Sequence, residues 1–182
     1  MWRIVQALDG GISRIKLDAG YLDADQAEAV AGAAERFAGG VIEVTNRSNL
    51  QIRGVGADHQ GLVAHLLAAG LGPRVAAGDD VRNLMLSPAA GVDPAMLVDT
   101  RALGAQILDL LQTTPRFHEL SAKFAVQLDG GEDLAMLWHP HDLWLSPLRL
   151  DDELWLAFGL AGCPGHDAPL AAVPLAEGLS LV

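Results

Sequence analysis

The first 70 residues mix two hydrophobic patterns, one typical of strands and one typical of helices. Residues 12–17 alternate in the manner of a half-buried strand, and two further strands are predicted at about 41–45 and 49–53. Apolar side chains at helical spacing predict helices at about 24–37 and 59–69. This order predicts a small α+β layer, in which both helices pack on one face of a mainly antiparallel sheet.

Polar and glycine residues support the ends of these helices. Asp23 or Asp25 is expected to cap the first helix, which stops at Gly39-Gly40, and Asp58 is expected to cap the second. Gly70 follows the second helix as a stop signal.

The rest of the chain predicts a second α+β unit after a charged link at 74–81. A short strand begins near Asp80, and Asp93 is expected to cap a long helix over 94–112. A hairpin turn is expected at Asp129-Gly-Gly131. The later strands are expected at 122–129, 134–138, 142–147 and 153–160.

Composition narrows the possible partners. The 182 residues are 51% hydrophobic, and 12 basic residues against 23 acidic ones give a formal net charge of −11. Such a chain repels nucleic acid and anionic lipid on average, so neither is an expected partner. No apolar run approaches the roughly 20 residues of a membrane span. The single Cys163 excludes an internal disulfide, and we expect a cytoplasmic protein.

The scarce cations are the candidate binding groups. Arg14, Arg47, Arg82 and Lys123 each lie in a predicted strand or at its end. A guanidinium suits carboxylates and oxyanions, and an acidic protein can hold a polyanion only by gathering its few cations in one place. The alternative is that each is an ordinary outward-facing side chain, and their spacing alone does not separate the two interpretations.

Short motifs across the first two thirds of the chain resemble the sulfite and nitrite reductase family. They run in the order Arg14-Ile-Lys16-Leu, Val44-Thr-Asn-Arg-Ser-Asn-Leu-Gln-Ile-Arg-Gly54, Asp80-Val-Arg-Asn83 and Leu120-Ser-Ala-Lys-Phe124. Each motif is short, and the resemblance rests on their combination and order. The segments 79–94 and 122–131 look most like the precorrin-3B synthases of that family.

The resemblance implies an architecture and a site. It implies a ferredoxin-like half-domain at 1–73 and a tetrapyrrole-binding, reductase-like α+β domain at 74–182, together one half of a pseudo-twofold enzyme. No metal ligand is expected in this half. By motif, the residues that hold a tetrapyrrole or substrate anion are Arg14, Asn46, Arg47, Gln51, Arg82, Asn83 and Lys123.

The activity implied is oxygen-dependent hydroxylation of a precorrin macrocycle, with lactone formation, in cobalamin biosynthesis. This half would position the macrocycle carboxylates, and a 4Fe–4S cluster, with siroheme or iron, would belong to the parent enzyme. With one cysteine, this half alone is expected to bind no cofactor and not to turn over. Its expected partners are a precorrin or another tetrapyrrole polycarboxylate, and either the missing C-terminal half or a second copy.

Two alternatives stay open. The chain could be half of a siroheme-dependent sulfite or nitrite reductase, although sulfite reductases carry a second basic residue where this chain has Ala125. It could also be a stand-alone tetrapyrrole-binding module that self-associates.

Other candidate side chains carry less weight. The two imidazoles of His139-Pro-His141 could ligate a metal, but a surface turn is the preferred interpretation. Among the histidines, His118 is kept as a weak site candidate, because it lies close to the Lys123 segment in the sequence. A lone loop thiol such as Cys163 is more often incidental than catalytic.

Overall fold

Two sheets, each covered by helix, make up the protein. The structure, a computed structural model, describes residues 3–182. The strands and α-helices in chain order are β1 (Val5–Ala7), β2 (Gly10–Ile15), α1 (Ala24–Phe37), β3 (Val41–Val44), β4 (Leu50–Val55), α2 (His59–Ala68), β5 (Leu84–Met85), α3 (Arg101–Thr113), β6 (Val126–Leu128), β7 (His141–Leu150), β8 (Glu153–Gly162) and β9 (Ala171–Pro174). Short 3₁₀ helices occupy Ala76–Gly78, Pro115–Glu119 and Leu175–Leu181.

The first sheet is antiparallel throughout, with strand order β1-β2-β4-β3. One face of β2 and β4 buries Ile15 and Ile52 against Val30 of α1 and Leu62 of α2. The opposite face carries polar side chains, because successive residues of a strand point to opposite sides. Both helices therefore lie on one face, and the predicted α+β layer is confirmed.

The second sheet is mixed, with strand order β5-β6-β7-β8-β9. Strands β5, β6 and β7 are parallel neighbours, whereas β7, β8 and β9 are antiparallel. Helix α3 packs on this sheet through Ile107 and Leu111, which share a core with Val126 and Leu145.

The long helix begins later than the sequence pattern predicts. It starts at Arg101, not at residue 94, and Asp93 caps a turn through the amides of Ala95 and Asp133. The backbone amide of Leu97 donates to the carbonyl of Gly130 at 2.7 Å. Residues 94–100 therefore bind the β6 end of the second sheet, and this tertiary contact replaces the first turns of a helix.

Two strand predictions and one turn prediction in the second unit also differ from the structure. Residues 134–138 form turns and not a strand, and the strand expected at 122–129 is reduced to β6. Asp129-Gly-Gly131 is not a hairpin turn, because β6 and β7 run parallel and the chain must travel back before pairing. Strands β1 and β9 were not predicted, since each is too short to show a period.

Polar contacts join the two units. The ammonium of Lys16, which directly follows β2, donates to the carbonyl of Asp80 at 2.5 Å, and the amide of Arg74 donates to the side chain of Gln112 on α3 at 2.9 Å. Burial lowers the pKa of Lys16 to about 8, although Asp80 and Asp79 act in the opposite direction. Among residues 3–182, no helix is long and apolar enough to cross a bilayer.

Candidate functional site

A cavity of about 290 Å³ lies where the β3–β4 turn meets the second sheet. We call it the basic hollow, because it brings Arg47 from the first unit to Lys123 of the second. It is lined by Arg47, Lys123, Ala125, His139, Pro140, His141, Asp142 and Ala161. Two of the four predicted cations therefore converge, although they are 76 residues apart (123 − 47) in the sequence.

Local hydrogen bonds hold Arg47 at the tip of its turn. The Thr45 hydroxyl accepts from the amides of Arg47 at 3.4 Å and Asn49 at 3.2 Å, so it closes the turn from inside. The side chain of Asn49 accepts from the Leu17 amide at 2.9 Å, which anchors the turn to the end of β2. Polar residues at 45–49 thus shape the turn and leave the Arg47 guanidinium for the hollow.

Lys123 is positioned by a second turn. The Ser121 hydroxyl accepts from the Lys123 amide at 3.2 Å, and the Ser121 carbonyl accepts from Phe124 at 2.8 Å. The carboxylate of Asp142 accepts from the Ala125 amide at 2.9 Å, which fixes the start of β6 against β7. Neither Lys123 nor Arg47 forms an ion pair with any residue in the range 3–182, so both charges are available to a ligand.

The wall of the hollow contains two neighbouring histidines, the half-buried His139 and the buried His141. The rings of His139 and His141 lie with centroids 5.0 Å apart, and His141 is only 4% exposed. Burial lowers the pKa of His141 to about 4, with further lowering from His139 and from the nearby Arg47 charge. His141 is therefore neutral near neutral pH, and the expectation of a surface turn at His139-Pro-His141 does not describe His141, which begins β7.

Arg82 and Asn83 lie inside the protein. Arg82 is 2% exposed; its guanidinium donates to the Leu71 carbonyl at 3.0 Å and to Asp79 at 3.1 Å, and reaches Asp18 at 3.5 Å. The Asn83 amide donates to the carbonyls of Phe124 at 2.8 Å, Ala122 at 3.1 Å and Asp80 at 3.3 Å. Both side chains hold the fold together, and neither lines the basic hollow.

The remaining predicted ligands lie on or beside the first sheet. Arg14 and Gln51 are cross-strand partners on the polar face, with Arg14 exposed and Gln51 partly buried. Asn46 is exposed at the turn that carries Arg47. None of these three side chains lines the hollow, so their role as ligands stays a prediction.

His118 does not reach the hollow either. Its Nε2 contacts the carbonyl of Gln112 at 2.8 Å, at the end of α3. Sequence reasoning singled out His141 only as one of a pair of histidines, because nothing in that pattern shows which ring is buried.

A larger cavity, of about 500 Å³, lies between residues 18–22 and α3. Its two arginines are already neutralised: Arg74 pairs with Asp109, and Arg101 pairs with Asp99 at 2.6 Å. Hydrogen bonds from Arg101 lower the pKa of Asp99 to about 2. The smaller hollow is therefore the better anion site, because it offers unpaired positive charge.

The residues present do not fit an iron–sulfur cluster. Such clusters are held by several cysteine thiolates, and this sequence contains only Cys163, which is buried. Within residues 3–182, no group of three or more His, Cys, Asp or Glu side chains could hold a metal ion.

Family models cover most of the chain. The nitrite/sulfite reductase ferredoxin-like half domain matches residues 6–70, and the nitrite and sulphite reductase 4Fe-4S domain matches residues 77–180. The second match alone covers more than half of the sequence.

The individual relatives include ferredoxin–nitrite reductases and a precorrin-3B synthase. Ferredoxin–nitrite reductase of Synechococcus elongatus is 32% identical over 90% of this chain and 33% of its own length, and the chloroplastic enzyme of Zea mays is 36% identical over 89% and 30%. A precorrin-3B synthase from Sinorhizobium sp is 32% identical over 70% of this chain and 27% of its own length. The chain thus spans about a third of the length of these relatives.

A solved structure has the same fold. The NirA protein of Mycobacterium tuberculosis superposes with a TM-score of 0.72 at 19% identity, over 93% of this chain and 32% of the solved one. This likeness supports the arrangement of a ferredoxin-like half-domain followed by part of a reductase-like domain.

Proposed function

Because the chain belongs to the nitrite and sulfite reductase family, we propose that it forms an anion-binding part of a longer oxidoreductase. The observation that carries this proposal is the meeting of Arg47 and Lys123, both without an ion-pair partner in residues 3–182, in one hollow. A unit charge about 4 Å from a cation gains roughly 4 kcal/mol at an effective dielectric near 20, before desolvation is subtracted. Two such contacts can hold a small oxyanion or a carboxylate of a larger ligand.

The chemistry assigned to this part is electrostatic positioning. A fixed guanidinium and ammonium stabilise negative charge without reorganising during a reaction. The neutral His141 and the hydrogen-bonded Asp142 fix the wall around them. Redox cofactors and electron supply would come from elsewhere in the longer protein.

Reduction of nitrite or sulfite is the substrate assignment we favour. Two of the relatives named above are ferredoxin–nitrite reductases that align over about nine tenths of this chain. A hollow of about 290 Å³ with two cations suits a small oxyanion. This assignment replaces the precorrin interpretation as the first candidate.

Precorrin oxygenation is the second candidate, and Ala125 favours it. The position where sulfite reductases are expected to carry a second basic residue is occupied by a methyl group at the hollow. Fewer charges at the reacting centre suit a macrocycle held by peripheral carboxylates better than a small, highly charged anion. The relative from Sinorhizobium sp shows that such a name occurs among similar sequences.

Calorimetric titration tests the shared part of the proposal. Nitrite, sulfite and a tetrapyrrole polycarboxylate would each be titrated into the chain and into the variants Arg47→Gln and Lys123→Gln. We expect each substitution to weaken binding at least about tenfold, because a charge-assisted hydrogen bond contributes about 1.5–3 kcal/mol. Arg149→Gln is the matched control, since Arg149 is exposed at the far end of β7. Equal effects of all three substitutions would overturn the proposal.

Turnover by the full-length protein separates the two candidates. Consumption of nitrite or sulfite with a reduced ferredoxin supports the reductase, and oxygen-dependent conversion of a precorrin supports the oxygenase. In either case the Lys123→Gln variant should lose activity more than Arg149→Gln.

A further inference from the structure

The basic hollow contains a side chain whose charge no partner in the protein fixes. His139 lines the cavity beside Arg47 and Lys123, and its side chain is half-buried, so it remains accessible. It forms no ion pair with any residue in the range 3–182. Histidine is the side chain whose charge ordinarily changes between about pH 5 and 8. The contents of the hollow can therefore decide whether this ring is charged.

The other ionisable groups around the ring leave His139 as the proton acceptor. Arg47 from the β3–β4 turn and Lys123 from the segment before β6 are cations, and Asp142 on β7 is an anion. Arginine, lysine and aspartate side chains ordinarily keep their charges near neutral pH. His141 stays neutral there, because burial lowers its pKa to about 4. A proton that enters the hollow near neutral pH is therefore expected on His139.

We propose that the basic hollow binds its anion together with a proton, and that His139 takes up this proton. In the empty hollow, a charge on the ring meets two cations and one carboxylate. A bound anion adds negative charge to the same cavity and so favours the imidazolium form. Anion binding and protonation then strengthen each other by the same factor, because coupling between two sites is reciprocal. This inference rests on the proposed function of the hollow.

The small size of the hollow makes the coupling measurable. A cavity of about 290 Å³ keeps its ligand within roughly one Debye length, about 8–10 Å, of the side chains that line it, so salt screens the charges incompletely. Ala125 brings no charge to the hollow, and the imidazolium of His139 would be its third cation. Such a site suits the reduction of nitrite or sulfite, because each oxygen that leaves as water takes up two protons.

Calorimetry of nitrite binding tests the coupling, since nitrite itself does not titrate near neutral pH whereas sulfite does. Titrations in buffers of different ionisation enthalpy count the protons taken up. We expect the wild type to take up a fraction of a proton per nitrite near neutral pH, and to bind nitrite at least about fivefold more tightly at about pH 6 than at about pH 8. His139→Gln should take up no proton and keep its affinity within about twofold over that range. His59→Gln, at an exposed position on α2, is the control and should behave as the wild type.

The results separate this inference from the proposed function. Nitrite binding that takes up no proton and does not depend on pH, but is weakened in Lys123→Gln, would overturn the inference and leave the proposed function in place. A wild type that does not bind nitrite would overturn the nitrite assignment and this inference together. Proton uptake that persists in His139→Gln, or that is lost in His59→Gln, would overturn the assignment to His139.

NMR of the wild type provides a reading that needs no variant. The ring signals of His139, assigned through the backbone, should titrate with a midpoint at least about 0.7 pH units higher in saturating nitrite than without it, which is the counterpart of the fivefold change in affinity. A midpoint that nitrite does not move would overturn the inference.

Discussion

At the level of single residues, the buried guanidinium of Arg82 stabilises the fold by bonding to protein groups. Its guanidinium bonds to Asp79 and to the Leu71 carbonyl and also reaches Asp18 in the first unit. Removing one member of a buried charged network costs more than the network contributes, because the remaining groups lose their partners.

We therefore expect Arg82→Met to lower the free energy of unfolding by about 3–5 kcal/mol. Arg149→Met is the control, because Arg149 is exposed and its side chain only reaches the Asp152 carbonyl at 3.5 Å. That control should change stability by less than about 0.5 kcal/mol. Urea unfolding measures both, and similar losses in the two variants would contradict the structural role of Arg82.

Asp129 links stability to pH. Burial raises its pKa from 3.8 to about 6, with the neighbouring Glu132 acting in the same direction and the Gly131 amide against it. The folded protein thus holds a proton that the unfolded chain releases. Asp129 therefore lowers the free energy of unfolding progressively as the pH rises from about 4 to about 6.

Asp129→Asn should remove this dependence. Relative to the wild type, the variant is expected to gain up to about 3 kcal/mol of unfolding free energy between acidic and neutral pH, since one pKa unit corresponds to about 1.4 kcal/mol. The difference between the two proteins near pH 4 serves as the baseline for packing effects. Parallel pH profiles of wild type and variant would show that Asp129 titrates normally.

The candidate cations illustrate how far the sequence could predict the site. Sequence reasoning identified Arg14, Arg47, Arg82 and Lys123 as candidate binding positions, because each lies in a predicted strand or at its end. It could not separate Arg82 from the other three, since its burial depends on Asp18 and Leu71, which lie far away in sequence. Whether a charge meets protein or solvent is decided by tertiary structure.

At the scale of elements, helix α1 is specified by local chemistry. Asp23 accepts from the Gln26 amide at 2.7 Å, and the Gln26 side chain accepts from the Asp23 amide at 3.2 Å. This capping box satisfies two amides at the helix start. The cap was predictable from sequence, whereas the start of α3 was not, because residues 94–100 bind the Gly130 carbonyl instead of continuing a helix.

Asp23→Ala should destabilise the protein by about 1 kcal/mol, because the Gln26 amide loses its acceptor. Asp25→Ala is the matched control: Asp25 lies in the first turn, where its carboxylate interacts favourably with the helix dipole, so a loss of a few tenths of a kcal/mol is expected. Thermal unfolding measures the stability loss of each variant. A larger loss in Asp25→Ala than in Asp23→Ala would contradict the capping role of Asp23.

At the scale of the whole molecule, the basic hollow exists only because the two units are docked. Arg47 comes from the β3–β4 turn and Lys123 from the segment before β6, and Lys16 and Arg82 join the units nearby. The family resemblance predicted both units and their order, and the matches to residues 6–70 and 77–180 confirm that fold. The convergence of the cations needed coordinates, because spacing along the chain does not fix distance between units.

Strand β3 forms one edge of the first sheet. All four residues of β3 are exposed, and Val44 is 81% exposed although it is apolar. Only β4 pairs with β3 in the part of the chain that the structure describes, so one backbone edge is open to another strand. Since the chain spans about a third of its relatives, we propose that in isolation this edge pairs with a second copy of the chain.

Sedimentation velocity over a range of concentrations tests this pairing. The wild type should self-associate, and Val44→Lys should weaken association at least about tenfold, because a lysine on an edge strand opposes the apposition of two identical edges. Val92→Lys introduces the same charge at an equally exposed valine of the second unit, at 76% exposure, and should leave association unchanged. A wild type that stays monomeric at every concentration would contradict edge pairing, as would equal weakening by both substitutions.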